Sequence, residues 1–124
     1  MVGCYMDGLT WPEAERALRE YPVVVLPIGA RTKEHGLHQQ LNNDWLMAEY
    51  LARRVAERSR VLILPTLQYG YYPAFLEYPG SVSVSLETMR ETVVEICQSH
   101  ARPGGVPAPG VCARPCSCAG QNPG

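Results

Sequence analysis

The spacing of the hydrophobic residues changes along the first part of the chain, and each change of spacing predicts a different secondary-structure element. Thr10, followed by Trp11, Pro12 and Glu13, forms a capping-box pattern, because the Thr hydroxyl and the Glu carboxylate can each satisfy a free backbone donor of a first turn. This pattern predicts a short helix that ends at about Glu20. The run YPVVVLPI that follows is continuous and β-branched, which is typical of a strand buried on both faces of a parallel sheet.

A second helix and a second strand are predicted from the next change of period. Asn43 or Asp44 can cap this helix at its start, and RVLILPTL after it resembles another buried strand. The segment between the two strands is long enough for a right-handed crossover, so we expect them to be parallel. The apolar side of the predicted helix consists of five residues at helical spacing: Leu46, Met47, Tyr50, Leu51 and Val55.

The pattern changes twice more towards the end of the chain. SVSVS, residues 81–85, alternates as a strand does, and a helix is predicted to start near Ser85. The apolar side of this helix would be Met89, Val93, Ile96 and Cys97. After Ser99 the chain is rich in Pro and Gly and has no hydrophobic period, which predicts a folded unit over 1–99 and a disordered tail over 100–124. The alternation of strands and helices predicts an α/β fold with a mostly parallel sheet.

Composition excludes several classes of protein. Eleven basic and twelve acidic side chains nearly cancel, and no run of one sign is long enough to bind a nucleic acid. The start of the chain does not resemble a signal peptide, and no apolar run approaches the roughly twenty residues that span a bilayer. Five cysteines, an odd number, argue against a disulfide framework. The expectation is therefore a cytoplasmic protein that does not bind membranes.

The segment IGARTKEHGLHQQLNND, residues 28–44, carries the candidate chemistry. It contains His35, His38, Glu34 and Asp44 and begins where the first long strand ends. Asp, His and Glu are ligands of Zn²⁺ and Mn²⁺, and open α/β sheets bind ligands at the carboxyl ends of their strands. The alternative is that both histidines are ordinary polar loop residues, because H-x-x-H followed by an Asp is a loose pattern.

Several stretches together, in order and spacing, resemble the N-terminal part of the creatininase family, the creatinine amidohydrolases. They are LTWPEAERAL, VVVLPIGA, EHGLH, AEYLARRVAE and LILPTLQYGYYPAFLEYPGSVSVSLETM, and they cover residues 9 to about 99. The resemblance implies a metal-dependent amidohydrolase with a three-layer α/β/α sandwich fold, commonly a homo-oligomer of six subunits. It also implies two divalent ions, Zn²⁺ or Mn²⁺, in each subunit and a small amide as substrate.

The family pattern transfers to this chain at both histidines and at the Asp, but not cleanly at its Glu. His35 would bind one ion, Asp44 would bridge two ions, and His38 would lie behind the ligands or against substrate. The family's metal-binding Glu stands two residues before the first His, where this chain has Lys33. Glu34 could reach the ion through a one-residue bulge, and we favour it over a lysine ligand because an ammonium has no lone pair.

Two tyrosines are further candidates for the site. Tyr69 and Tyr72 follow the end of the second long strand, where they would either line a substrate cleft or pack under their loop.

Several functional residues of the family have no counterpart in this chain. In the family, the proton-transferring Glu and the remaining ligands come later, whereas this chain has no Asp or Glu after Glu95. The sequence therefore predicts a truncated amidohydrolase with an incomplete C-terminal half. The alternative is a non-catalytic fragment that binds at most one ion or associates with a full-length subunit.

Overall fold

A computed structural model describes residues 1–100, which form an α/β fold around a parallel sheet. Its strands are β1 (Cys4–Tyr5), β2 (Val23–Val25) and β3 (Val61–Ile63), in the order β1-β3-β2. Its helices are α1 (Trp11–Glu20), α2 (Asn43–Arg58) and α3 (Leu86–His100), and single 3-10 turns span Met6–Gly8 and Pro73–Phe75. The predicted fold class and the parallel pairing of β2 with β3 are confirmed. The predicted disordered tail lies, apart from residue 100, outside the described residues.

Helix α1 begins at the predicted capping box. The Glu13 carboxylate accepts hydrogen bonds from the Thr10 backbone N–H at 2.8 Å and from the Thr10 hydroxyl at 2.6 Å. Ala17 is the buried residue of this helix. The helix ends at Glu20, as the pattern predicted, because the chain turns to an extended conformation at Tyr21.

Strand β3 is the central strand, and β2 lies at an edge of the sheet. All three residues of β3 are buried, whereas Val23 of β2 is 44% exposed. The prediction that the first long strand is buried on both faces was therefore wrong. The physical reason is that, within the described residues, β2 pairs on one side only, with β3, and that the buried alanines of α2 pack on β3. The strand β1, which has two residues and no sequence signal, pairs with the other side of β3.

Helix α2 packs on the sheet through alanines and not through its large apolar residues. Ala52 and Ala56 are buried against Val61 and Ile63 of β3, because small side chains let the helix approach the sheet closely. The N-cap position is Asn42, one residue before the predicted Asn43 and two before the predicted Asp44. The predicted apolar side is exposed in this chain, at Leu46, Met47, Tyr50, Leu51 and Val55.

The segment SVSVS forms no strand, which corrects the prediction from its alternating pattern. Val82 donates its backbone N–H to the Thr32 carbonyl and Val84 donates to the Gly70 carbonyl, each at 2.9 Å. These two bonds go to different loops, so no ladder with one partner strand can form. The segment instead ties together the loops that follow β2 and β3.

Helix α3 begins where its pattern predicted. The Ser85 hydroxyl oxygen accepts the Thr88 backbone N–H at 3.1 Å, which satisfies a free donor of the first turn. The four residues of its predicted apolar side are half-buried. Cys4 and Cys97 are free thiols. None of the helices within residues 1–100 has the length and apolar character needed to cross a membrane.

Candidate metal centre

The candidate site lies on two loops that run side by side beyond the sheet. After β2 and β3, Ile28 and Leu67 form a parallel bridge. Gly29 donates its N–H to the Leu67 carbonyl at 3.0 Å, and Arg31 donates to the Gln68 carbonyl at 3.1 Å. Because both loops leave the carboxyl ends of parallel strands, their side chains converge at the edge where α/β folds bind ligands.

The first turn of α2 closes this edge from one side. The Trp45 backbone N–H donates to the Ala30 carbonyl at 3.0 Å, which fixes the start of the helix against the loop after β2. Asp44 lies in this first turn, where free N–H groups and the helix dipole favour a negative charge. The helix therefore holds the Asp44 carboxylate over the loop that contains His35.

His35 and Asp44, which the family resemblance assigns as metal ligands, lie close together. The His35 side chain is 10% exposed, and its Nε2 lies 3.5 Å from Asp44 Oδ1. This distance is long for a hydrogen bond, and Nε2 is buried without a hydrogen-bond partner among the described residues. An unpartnered imidazole nitrogen beside a carboxylate oxygen fits the donor set of a divalent ion.

Lys33 occupies the other oxygen of the same carboxylate. Its Nζ lies 2.8 Å from Asp44 Oδ2, and its side chain is only 15% exposed. The ammonium also lies 4.7 Å from the centre of the Phe75 ring and 5.7 Å from the centre of the Tyr72 ring. The sequence did not predict this ion pair, because Lys33 was considered only as a metal ligand and rejected. The feature that could have indicated the pair is the lysine at the position of the family's metal-binding Glu.

Glu34 is not brought together with the other two predicted ligands. Its carboxylate accepts the Gly36 backbone N–H, and its own N–H donates to the Ser81 hydroxyl at 3.0 Å. No group of three or more His, Cys, Asp or Glu side chains within residues 1–100 is arranged to hold a metal ion. The arrangement as it stands therefore offers an ion two protein ligands, His35 and Asp44.

The three remaining predicted residues lie at different depths around this pair. His38 is exposed in the loop, and Tyr69 is 47% exposed after β3. Tyr72 is half-buried and borders Lys33. Burial of the Tyr72 phenol raises its pKa above the ordinary value, and the negative charge of Asp44 raises this pKa further.

The sequence and the fold of this chain are similar to those of known proteins. The family model for creatininase, described as creatinine amidohydrolase, matches residues 7–105. The creatinine amidohydrolase of Pseudomonas putida is 37% identical over 106 residues, which are 81% of this chain and 40% of that protein. This chain thus spans about two-fifths of that relative's length.

Two solved structures extend the likeness to the fold. A structure named "Creatininase Mn" is 36% identical with a TM-score of 0.74, over 82% of this chain and 41% of that chain. A mutant creatininase of "Zn-Zn type" is 36% identical with a TM-score of 0.73, over 81% and 41% of the two chains. The sequence and structure matches do not favour the alternative of a non-catalytic fragment.

Proposed function

Because the chain belongs to the creatininase family, we propose that it is a metal-dependent amidohydrolase that cleaves the C–N bond of a small amide, cyclic amides included. The observation that carries this proposal is the buried, unpartnered His35 Nε2 beside the Asp44 carboxylate. The Mn and Zn-Zn names of two similar structures support Mn²⁺ or Zn²⁺ as the ion.

His35 and Asp44 would hold the ion, and Glu34 is the proposed third ligand. Glu34 precedes His35 directly, and within the described part of the chain its Oε1 accepts the Gly36 N–H. A rotation of this side chain away from Gly36 would free that oxygen for the ion. When bound, a divalent ion would polarise the amide carbonyl and lower the pKa of water, which is the chemistry that amide hydrolysis needs.

The neighbouring residues would position the substrate. Tyr72 borders Lys33, and its phenol hydroxyl is a hydrogen-bond donor for a substrate carbonyl. Tyr69 and His38 are exposed on the two loops and would contact the parts of the substrate that do not react. We assign to these three residues binding and orientation, not proton transfer.

The test is metal-dependent turnover by the full chain. The protein would be freed of metal with a chelator, titrated with Mn²⁺ or Zn²⁺, and assayed on creatinine and a panel of cyclic amides. Hydrolysis should require the added ion. His35→Ala and Asp44→Asn should each weaken Mn²⁺ binding by about tenfold or more, because each removes one of two protein ligands.

Matched controls remove the same residue types elsewhere. Asp7 lies in the 3-10 turn before α1 and His100 ends α3, so Asp7→Asn and His100→Gln should leave the Mn²⁺ affinity unchanged. Hydrolysis that survives chelation, or an Asp44→Asn variant that binds Mn²⁺ as tightly as the parent chain, would contradict the proposal.

A further inference from the structure

Lys33 is the one lysine of this chain, and its ammonium lies on the carboxylate proposed to bind metal. We infer that Lys33 is an internal cation that competes with the divalent ion for Asp44 and so sets the metal affinity of the site. This inference rests on the proposed function, because it takes Asp44 to be a metal ligand. It concerns Lys33 and not the ligands themselves.

The ammonium is held at this position from more than one side. Its side chain is 15% exposed, and its Nζ lies 2.8 Å from Asp44 Oδ2. The rings of Phe75 and Tyr72 lie within cation–π distance of the same nitrogen. The Lys33 backbone N–H also donates to the Leu41 carbonyl at 3.0 Å, which fixes the start of the side chain. Unlike a solvated surface lysine, Lys33 is therefore directed at Asp44.

Arg31, the other basic residue of this loop, does not share this role. Its guanidinium lies 4.3 Å from the centre of the Trp45 ring and donates to the Gln68 side-chain oxygen at 3.2 Å. These contacts direct Arg31 to Trp45, the residue after Asp44 in α2, and to Gln68 in the loop after β3. Among the described residues, Asp44 forms an ion pair with Lys33 and lies beside His35, whose Nε2 is 3.5 Å from Asp44 Oδ1.

Competition follows from the charges. A divalent ion bound to Asp44 and His35 would lie a few ångströms from the ammonium, and the partly buried position screens this repulsion weakly. Ion binding must therefore displace Lys33 from Asp44 Oδ2. Displacement also breaks the contacts with Phe75 and Tyr72. Both losses lower the affinity for the ion.

The first readout is Mn²⁺ affinity, measured by calorimetry on the full chain. Lys33→Met keeps the length and the apolar stem of the side chain but removes the charge, and it should bind Mn²⁺ about tenfold more tightly, a difference of ~1.4 kcal/mol. Lys33→Arg keeps the charge and should not bind more tightly than the parent chain. A double variant with Asp44→Asn should show no gain from Lys33→Met, because the carboxylate in competition is absent.

The second readout needs no variant. Lys33 is the only side-chain amine, so an amine reagent such as trinitrobenzenesulfonate followed by peptide mass analysis reports on Lys33 apart from the N-terminus. Saturating Mn²⁺ should accelerate modification of Lys33 severalfold, because the displaced ammonium becomes exposed. Modification that is unchanged or slowed by bound Mn²⁺ would overturn the inference.

The outcomes separate this inference from the proposed function. If Asp44→Asn weakens Mn²⁺ binding but Lys33→Met and a second neutral variant, Lys33→Gln, do not strengthen it, Lys33 does not compete and the proposed metal site stands. If the parent chain and both neutral Lys33 variants bind Mn²⁺ no better than Asp44→Asn, the proposed metal site fails and the inference fails with it. Thermal unfolding of each variant would verify that it is folded, and two neutral substitutions guard against a defect specific to one of them.

Discussion

A Cβ atom on Gly29 would lie 2.5 Å from the carbonyl oxygen of Asp44. The same atom would lie 2.8 Å from the Cβ of Ala48, one turn further along α2. Both contacts are with the helix and not with the end of a flexible side chain. The loop after β2 can approach the first turn of α2 this closely only because residue 29 has no side chain. This close approach is what places the Asp44 carboxylate beside His35.

Gly29→Ala should therefore destabilise the protein by about 1–3 kcal/mol, as overpacking of a tight contact does. It should also weaken Mn²⁺ binding, because α2 must shift and carry Asp44 with it. Urea denaturation gives the free energy of unfolding, and calorimetry gives the affinity. Gly8→Ala is the matched control, since a Cβ there meets nothing within 4 Å. Equal stability of the two variants would show that the contact at Gly29 can relax.

Gly36 is a second backbone position on which the candidate site depends. Its φ of +83° lies in the left-handed region, and its N–H donates to the Glu34 carboxylate. Gly36→Ala should cost about 1–2 kcal/mol in the free energy of unfolding, because a Cβ is disfavoured in this conformation. Gly36→Asn should cost less, since Asn tolerates positive φ better than Ala. Equal losses for both variants would argue against backbone conformation as the cause.

The parts of the fold that the sequence predicted are those governed by local patterns. Thr10 and Glu13 stand three residues apart and cap α1 by themselves, without help from the rest of the chain. The two β-branched runs and the long segment between them predicted parallel strands, because only a crossover of that length can connect them. The assignment of His35 and Asp44 as metal ligands came from the family resemblance and stays a prediction.

The parts that the sequence did not predict depend on tertiary packing. The period of α2 shows an apolar side but not which side packs on the sheet, and the structure buries Ala52 and Ala56 instead. Strand β1 has two residues, too few to show any period. The pairing of Lys33 with Asp44 arises only when the loop after β2 folds back on α2, a contact between residues eleven positions apart. A lysine at position 33 or an aspartate at position 44 does not by itself indicate this pairing.

The two sides of α2 should respond differently to substitution. Ala56 is fully buried, so Ala56→Leu should destabilise the protein by about 1–3 kcal/mol through overpacking against β3. Leu51 is 53% exposed, and Leu51→Gln should change the free energy of unfolding by less than about 0.5 kcal/mol. Denaturant unfolding of both variants makes the comparison. A larger loss at Leu51 than at Ala56 would mean that the predicted apolar side, and not the alanines, packs in the folded protein.

The capping box should give the chain a pH-dependent component of stability. The hydrogen bond from the Thr10 hydroxyl, and after it the one from the Thr10 N–H, lowers the pKa of Glu13 below its ordinary 4.5. Because this pKa is lower in the folded than in the unfolded chain, the carboxylate stabilises the fold above about pH 4.5, and this contribution is lost as the pH falls through the lowered value. Glu13→Gln removes the ionisable group, so the difference in melting temperature between parent and variant should shrink below about pH 4.5.

Thr10→Val tests the cause of this pKa shift. The substitution removes the hydroxyl donor and keeps the backbone N–H, so the pKa of Glu13 should rise towards its ordinary value without reaching it. Titration of the Glu13 side-chain carbon signal by NMR measures the pKa directly in both chains. A Glu13 pKa that is the same in Thr10→Val and in the parent chain would mean that the hydroxyl does not stabilise the carboxylate. A melting-temperature difference between parent and Glu13→Gln that does not change with pH would mean that Glu13 acts on α1 without its charge.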